Sequence, residues 1–224
     1  MIIAVTGSLG SGKSTASKIL ASVLAAEHVD TDQLCRLEML PGRQGYDEFR
    51  KTYGTRYLND DGSLDRILLR HSVFNDNRVK TQLESILHPL VRGHVADLYR
   101  KCQLQSQHMV VEVPLLFEVG WQQDFDVSVV VYVPEYLCFI RVLARDNLTA
   151  EDIRRVFAQQ LPIDRKRKCA DFVIDNSGIF VSTVSQLAWL GKKLKCERKK
   201  WESTRLPAKP LSNNNMVKVM LGTV

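Results

Sequence analysis

Short apolar segments of strand length recur along the chain. Residues 2–5, 109–113 and 127–133 are nearly continuous apolar runs, which are typical of strands buried on both faces of a parallel sheet. Residues 28–32 and 172–175 are shorter, and the first of these two segments ends in carboxylates. Open parallel sheets bind their ligands beyond the carboxyl ends of the strands. The pattern therefore predicts an α/β fold with a parallel sheet of about five strands and a candidate ligand edge.

Helical spacing of apolar residues replaces the strand pattern between the second and third of these segments. Helices are predicted at residues 46–49, 64–74, 79–87 and 90–104. Ser63 or Asp65 is a suitable cap for the second helix. His88-Pro89 suits the start of the last helix, because proline is tolerated at the first helical position. Residues 33–107 thus form a predicted helical insertion, and such an insertion usually recognises a substrate.

Predicted helices alternate with the remaining strands in the later part of the chain. Residues 135–145 have helical spacing, and a capping box at residues 149–152 begins another helix that reaches about residue 160. A final amphipathic helix is predicted at about residues 180–199. Periodicity is lost after Trp201, so residues 201–224 are predicted to form a disordered tail.

A phosphate-binding motif follows the first strand directly. Residues 7–14 match G-x-x-x-x-G-K-[ST], and a helical pattern begins immediately after them. Glycines in such a loop allow positive φ, so that several N–H groups converge on phosphate oxygens at a helix N-terminus. The Lys13 ammonium suits the β and γ phosphates of ATP, and the Ser14 hydroxyl suits Mg²⁺. The residues expected to bind the nucleotide here are Gly7, Gly10, Ser11, Gly12, Lys13, Ser14 and Thr15.

Charge and composition narrow the function classes further. The 224 residues carry a formal net charge of +6, concentrated at residues 165–168 and 192–200, which suits polyanionic ligands. Aromatic residues are not interleaved with the second basic run, so nucleic acid is not expected as a partner.

The chain has no apolar run of membrane-spanning length and no signal sequence, so a cytoplasmic location is expected, with contact to an organelle surface left open. The five cysteines lack metal or disulfide spacing and are interpreted as reduced thiols.

A phosphate-binding loop alone fits kinases, GTPases, motor ATPases and transporters. A guanine-binding N-K-x-D segment would follow a late strand, but Asp175-Asn176-Ser177-Gly178 stands there. A small-molecule kinase instead needs a carboxylate near the acceptor hydroxyl, an acceptor pocket and cations from a lid. Candidates for these parts are Asp30, Asp32, Arg36, His88, Arg92, Leu115, Glu118, Arg141 and Arg145.

Each candidate also has a simpler structural interpretation. Asp32 could cap a helix, and Asp30 could hold the strand end or a magnesium-bound water. His88 could belong to a plain turn, and Leu115 could be a core residue. Arg141 and Arg145 lie one helical turn apart and could form surface ion pairs in place of a nucleotide contact.

Taken together, these motifs resemble the dephospho-CoA kinase family. The resemblance covers about residues 1–190 and is carried by the order and spacing of several short motifs. They are the phosphate loop, Asp30-x-Asp32 with Arg36, Leu87-His88-Pro89, Pro114-Leu115-Leu116-Phe117-Glu118, Arg145-Asp146, Gln160, Lys166 and residues 170–178. Ser8, Leu9, Thr31 and Glu112 depart from the common pattern, which more often has glycine, isoleucine, alanine and aspartate at these positions.

The resemblance implies a three-layer P-loop kinase fold and transfer of the ATP γ-phosphate to the ribose 3′-hydroxyl of dephospho-CoA, with Mg²⁺. It implies that Asp32 is the acceptor-side base, that Lys13 and the loop amides bind ATP, and that the insertion binds dephospho-CoA. A lid would come from about residues 141–168, including Arg141 and Arg145, and the core from residues 1–32, 108–135 and 170–200 of a single domain, 1–200. A kinase for another hydroxylated or nucleotide acceptor and a nucleotide-gated binding protein remain the alternatives.

Overall fold

Five parallel strands form the centre of the molecule. The structure is a computed structural model that describes residues 1–146 and 148–204, with the backbone alone for residues 197–204. The strands are β1 (Ile2–Thr6), β2 (Glu27–Asp30), β3 (Met109–Glu112), β4 (Val127–Tyr132) and β5 (Phe172–Asp175). They are arranged in the order β2-β3-β1-β4-β5, and every neighbouring pair is parallel. The predicted sheet is confirmed.

Helices connect the strands and cover both faces of the sheet. They are α1 (Lys13–Leu24), α2 (Thr31–Glu38), α3 (Gln44–Tyr53), α4 (Arg66–Asn75), α5 (Asn77–Leu104), α6 (Glu135–Arg145), α7 (Ala150–Ala158), α8 (Ile163–Cys169) and α9 (Phe180–Thr204), with a short 3₁₀ turn at Trp121–Asp124. None of the helices in the described residues combines the length and the apolar character needed to cross a bilayer.

Two apolar clusters fix the three-layer arrangement. On one face, Leu20 of α1 and Leu187 of α9 pack with Ile3 and Val5 of β1. On the other face, Val91, Val95 and Tyr99 in the second half of α5 pack against β1 and β3. Alternate residues of β1 thus enter opposite clusters, because successive side chains of a strand point to opposite faces. The fold is therefore helix, sheet, helix, as predicted.

The helices between β2 and β3 have a third apolar cluster of their own. It contains Phe49, Tyr57, Leu69 and Leu87, and the rings of Phe49 and Tyr57 lie 5.6 Å apart. Asp65 caps α4 by accepting hydrogen bonds from the amides of Ile67 and Leu68, so one of the two predicted caps is confirmed.

Pro89 does not begin a helix, contrary to the prediction. It lies inside the continuous helix α5, where proline costs about 3 kcal/mol because it removes one backbone hydrogen bond. Residues on either side of it, such as Leu87 and Val91, are buried in two different apolar clusters. Keeping α5 continuous buries both sets, and this packing outweighs the local cost of proline.

Three other boundaries also differ from the prediction. Strand β2 ends at Asp30, so Asp32 lies in the first turn of α2 and not at a strand end. The polar run after residue 163 forms helix α8, because Ile163 and Lys166 are both buried on one side of it. Helix α9 continues to Thr204, four residues into the predicted tail, and the remainder of that tail lies outside the described residues.

Candidate active site

The phosphate-binding loop connects β1 to α1 at the carboxyl edge of the sheet. Gly10 and Gly12 have φ of 81° and 83°, as the motif predicts. A Cβ on Gly12 would lie 2.5 Å from Nδ2 of Asn176, and one on Gly7 would lie 2.8 Å from the carbonyl oxygen of Val131. Gly7 is therefore required by contact with backbone, and Gly12 by its positive φ, where a Cβ would also displace the Asn176 side chain. The backbone amides at the start of α1 are left to face a ligand.

Asn176 braces this loop from the end of β5. Its Nδ2 donates to the Ser11 carbonyl at 2.8 Å, and its Oδ1 accepts from the Thr183 hydroxyl at 2.8 Å. Arg141 donates from Nη2 to the Asn176 carbonyl at 3.0 Å, which places this predicted residue beside the loop. The sequence comparison with guanine-binding segments used Asn176 only as an exclusion and missed this bracing role.

Arg145 does not join Arg141 at the loop. It is exposed and forms two hydrogen bonds of 2.9 Å to the neighbouring Asp146 carboxylate. The surface ion pair that the sequence left as an alternative is therefore present for Arg145. Arg141 and Arg145 differ because only Arg141 reaches the chain that follows β5.

The Ser14 hydroxyl and the Glu112 carboxylate form the best candidate for a magnesium site. Ser14 is exposed and donates from Oγ to Oε1 of Glu112 at 2.6 Å, while Glu112 is buried at the end of β3. Hydroxyl and carboxylate oxygens suit Mg²⁺, which keeps several waters and takes few protein ligands. No cluster of three or more histidine, cysteine, aspartate or glutamate side chains that could hold a metal occurs in the residues that the structure describes.

Asp30 and Asp32 have different environments. Oδ1 of Asp30 accepts from the amides of Asp32 and Gln33 at 2.9 and 3.3 Å, so Asp30 is the cap of α2. The helix-cap interpretation considered for Asp32 thus applies to Asp30. Among the described residues the Asp32 carboxyl has no hydrogen-bond partner, and it remains accessible in the cleft. This leaves Asp32 free for an incoming hydroxyl group.

The charges around Asp32 define the electrostatics of the cleft. Partial loss of hydration raises the pKa of Asp32, and the nearby carboxylates of Asp30 and Glu112 act in the same direction. The ammonium of Lys13 is the main group that opposes this shift in the pKa, and Arg36 contributes less. Lys13, from the phosphate loop after β1, therefore interacts electrostatically with Asp32 of α2, although β3 separates β1 from β2 in the sheet.

Cys35 lies one turn after Asp32 but is unreactive. Burial raises its pKa to about 12, and the carboxylates of Asp32 and Asp30 reinforce the effect. A thiol with such a pKa is not a nucleophile near neutral pH, because only the thiolate reacts. All five cysteines are free thiols, as predicted.

Glu118 connects the segment after β3 to helix α8. Its Oε1 lies 2.8 Å from Nζ of Lys166 and accepts from the Leu161 amide at 2.8 Å. Lys166 is fully buried and also donates to the Pro114 carbonyl at 3.1 Å. Burial lowers the pKa of Lys166, and the Glu118 carboxylate opposes that change. Lys166 was named in the sequence only as part of the family pattern, and its position as a buried cation beside the cleft was missed.

The loop between α7 and α8 touches the phosphate-binding loop itself. Oε1 of Gln160 accepts from the Leu9 amide at 3.2 Å, and the neighbouring Gln159 accepts from Nζ of Lys80 in α5 at 3.2 Å. This connection therefore contacts both the nucleotide loop and the insertion. Such a position is expected for a lid over a cleft.

The remaining predicted acceptor residues lie in α5 and in the segment after β3. The His88 ring packs 5.9 Å from the Trp121 ring, and burial lowers the pKa of His88. Arg92 forms a partly buried ion pair with Asp124, a partner that the sequence did not reveal. Leu115 is half-buried, and the second carboxylate oxygen of Glu118 is buried without a hydrogen-bond partner in the structure as described. Contact of these groups with an acceptor stays a prediction.

The chain is similar to known proteins over most of its length. A family model described as dephospho-CoA kinase matches residues 1–181. The dephospho-CoA kinase of Desulfotalea psychrophila is 37% identical over 187 residues, which cover 84% of this chain and 94% of that protein. A solved structure of the dephospho-CoA kinase from Campylobacter jejuni matches with a TM-score of 0.66 at 25% identity, over 88% of this chain and 98% of that one. A shikimate kinase from Acinetobacter baumannii shares the fold, with a TM-score of 0.51 at 15% identity over 88% and 94% of the two chains.

Proposed function

The chain belongs to the dephospho-CoA kinase family, and we propose that it transfers the γ-phosphoryl group of ATP to the ribose 3′-hydroxyl of dephospho-CoA. The products are CoA and ADP, so the reaction is the last step of CoA synthesis. The observation that carries the detailed proposal is the juxtaposition of Lys13 and the unpartnered Asp32 carboxyl, next to the Ser14 and Glu112 pair.

The phosphates of ATP are held at the start of α1. Backbone amides of the loop and the positive end of the helix favour the negative charge, and the Lys13 ammonium approaches the β and γ phosphates. Arg141, beside Asn176, flanks the same loop and adds a positive charge on the β5 side. These groups bind the ground state and also stabilise charge that moves to the leaving ADP during transfer.

The Ser14 hydroxyl would hold magnesium, and the Glu112 carboxylate orients that hydroxyl. Bound there, Mg²⁺ would neutralise part of the phosphate charge. The hydrogen bond from Ser14 to Oε1 of Glu112 leaves the lone pairs of the serine oxygen available to the ion. Glu112 replaces the more common aspartate, and its longer side chain still reaches Ser14.

Asp32 orients the acceptor and takes its proton. The 3′-oxygen forms a bond to the γ-phosphorus while the bond between that phosphorus and the bridging oxygen of ADP breaks. The hydroxyl proton passes to the Asp32 carboxylate. The transition state of phosphoryl transfer is loose, so the base acts mainly late and by orientation. An ionised carboxylate with no internal hydrogen bond is suited to that task.

The lid limits water at the site. Helices α7 and α8 are held to the segment after β3 by Glu118 and Lys166, and to the phosphate loop by Gln160. Exclusion of water matters because an open site would transfer the phosphoryl group to water and hydrolyse ATP. The helical insertion, on the other side of the cleft, then provides the surface for dephospho-CoA.

The proposal is tested by measuring ADP formation from ATP and Mg²⁺ with and without dephospho-CoA, with CoA identified by mass. We expect turnover that depends on dephospho-CoA and one CoA formed for each ADP. Adenosine and shikimate, supplied at the same concentration, serve as hydroxylated controls and should give little ADP. Equal stimulation by a control acceptor would contradict the assignment of dephospho-CoA. Tight ATP binding without turnover on any acceptor would favour a nucleotide-gated binding protein instead.

A further inference from the structure

A buried hydroxyl group links His28 to the Glu112 carboxylate. Ser17 in α1 is fully buried, and its Oγ lies 2.9 Å from Nε2 of His28 and 3.2 Å from Oε2 of Glu112. The other carboxylate oxygen, Oε1, accepts from Ser14 at 2.6 Å. Both oxygens of Glu112 are therefore held by hydroxyl groups that lie one helical turn apart on α1.

Ser17 has one proton and more than one acceptor within reach. Its Oγ also lies 3.0 Å from the Ser14 carbonyl, an ordinary contact of serine inside a helix. If Nε2 of His28 carries the ring proton, it donates to the Ser17 oxygen and leaves the Ser17 proton for Glu112. The hydrogen bonds then all run in one direction, because His28 donates to Ser17 and Ser17 donates to Glu112. Glu112 also accepts from Ser14.

The Thr31 side chain contacts the backbone of the same glutamate. Its Oγ1 donates to the Glu112 carbonyl at 2.8 Å in a buried position. Thr31 and Glu112 are two of the positions at which the sequence departs from the common family pattern, and the structure brings them into contact. A glutamate has one more rotatable bond than aspartate, so it loses more side-chain entropy when it is held in one position. Added hydrogen bonds can hold it.

We propose that Ser17 and His28 are positioning residues that hold Glu112, so that Glu112 in turn aims the lone pairs of the Ser14 hydroxyl at magnesium. This inference rests on the proposed function, because it concerns the magnesium that accompanies ATP. Ser17 is fully buried and acts through Glu112, and His28 acts through Ser17. Their effect is on the affinity of the nucleotide site for the metal and not on the affinity for metal-free nucleotide.

Isothermal titration calorimetry of ADP binding, at a series of Mg²⁺ concentrations and in EDTA, tests the inference without any turnover. We expect Ser17→Ala to raise the half-saturating Mg²⁺ concentration about 10-fold, the lower end of the range for residues that orient metal ligands. The affinity for ADP in EDTA should not change. Ser22→Ala is the matched control, since Ser22 is an exposed serine of the same helix. It should behave like the unmodified protein.

Two further variants keep the test decisive. His28→Asn should change the Mg²⁺ dependence in the same direction as Ser17→Ala but by less, because Ser17 still contacts Glu112. In the double variant Ser17→Ala with Glu112→Asp, the shorter carboxylate needs less support, so the effect of Ser17→Ala should shrink. The inference is overturned if Ser17→Ala and His28→Asn match Ser22→Ala in Mg²⁺ dependence. It is also overturned if they weaken ADP binding equally in EDTA, which would indicate a purely structural role.

The two proposals fail separately. An absence of CoA formation by the unmodified protein would reject the acceptor assignment and leave the calorimetry unaffected. An unchanged Mg²⁺ dependence in the variants would reject the roles of Ser17 and His28 while CoA formation persisted.

Discussion

Loss of hydration is the main influence on the pKa of the Asp32 carboxyl, followed by the ammonium of Lys13 and the carboxylates of Asp30 and Glu112. Partial loss of hydration outweighs Lys13, so the pKa of Asp32 lies above that of a free aspartate. The form that accepts the ribose proton is the ionised one. As the pH falls, Asp32 is therefore protonated sooner than an ordinary aspartate, and the acceptor-side base is lost.

We predict that the acidic limb of the profile of kcat/KM against pH lies above the pKa of a free aspartate. The cause is the raised pKa of Asp32, and the rate should fall about tenfold for each pH unit below it. Steady-state rates with dephospho-CoA as the varied substrate measure this limb. ADP binding over the same pH range is the control for loss of nucleotide affinity. A limb at the pKa of a free aspartate would contradict the assignment.

Individual site residues were predictable where a motif fixes both the residue type and the spacing. The phosphate-loop residues follow from the motif, and positive φ was expected for its glycines and is found at Gly10 and Gly12. From the sequence alone, the helix-cap interpretation was given to Asp32 and not to Asp30, although either carboxylate can cap a helix that begins near them. Only the hydrogen bonds to Asp30 decide this. The pairing of Glu118 with Lys166 joins residues 48 positions apart, and nothing in a basic run marks one lysine as buried.

At the scale of elements, the phosphate loop depends on close contact with the chain after β5. A Cβ on Gly12 would displace the Asn176 side chain, which lies 2.5 Å from its position, and so break the hydrogen bond from Asn176 to Ser11. Gly120 has a similar φ of 69° but open space around it. Substitution of either glycine by alanine would strain the backbone, but only substitution of Gly12 would also disturb a neighbouring side chain.

We predict that Gly12→Ala and Gly120→Ala both lose about 1–2 kcal/mol of unfolding free energy, the cost of a left-handed conformation for alanine. Only Gly12→Ala should also weaken ATP binding, because it displaces the Asn176 side chain that braces the loop. We expect about a tenfold or greater loss of affinity, which corresponds to roughly 1.4 kcal/mol of binding free energy. Urea unfolding and calorimetric titration with ATP measure the two effects. Equal ATP affinities in the two variants would show that Asn176 does not set the loop geometry.

The buried pair of Glu118 and Lys166 holds helix α8 against the segment after β3. Removal of one member leaves the other charge poorly hydrated and without its partner, which costs about 3–5 kcal/mol for a well-buried pair. We predict a loss toward the lower end of that range for Lys166→Met, because Glu118 retains some contact with solvent. Lys168→Met, at an exposed position of the same helix, should change the free energy by no more than about 0.5 kcal/mol.

Urea unfolding of the two lysine variants measures this difference. The double variant Lys166→Met with Glu118→Gln should recover part of the loss, because neither buried charge remains. Similar unfolding free energies for Lys166→Met and Lys168→Met would contradict a supporting role for the buried pair.

Element boundaries were predictable where local signals agreed with packing. Helix α6 was predicted at its observed residues, and the capping box of Thr149 and Asp152 is present at the start of α7. The prediction failed at Pro89, because local sequence favours a break there and only the burial of both halves of α5 keeps it continuous. Helix α8 was missed because its sequence is almost wholly polar, and its helical form depends on Ile163 and Lys166 packing inward.

For the molecule as a whole, the carboxyl edge of one sheet gathers groups from distant parts of the chain. The phosphate loop follows β1, Asp32 follows β2, Glu112 ends β3, and Asn176 follows β5. The order of predicted strands and motifs was enough to place these groups at one edge, since all the strands are parallel. It could not show that the α7 and α8 connection contacts both the loop and the insertion through Gln160 and Gln159. Such contacts depend on side-chain geometry and not on periodicity.

The most direct test of the account is the effect of Asp32→Asn on catalysis and on nucleotide binding, measured separately. The amide keeps the size of the side chain but cannot accept the proton in the same way, so we predict that kcat for CoA formation falls about 10²–10⁴-fold. The affinity for ADP in the presence of Mg²⁺ should remain within a few-fold of the unmodified protein. Glu27→Gln, at the exposed amino end of β2 and away from the carboxyl edge of the sheet, is the control and should retain full turnover. Near-normal kcat in Asp32→Asn would contradict the role of Asp32 as the acceptor-side base.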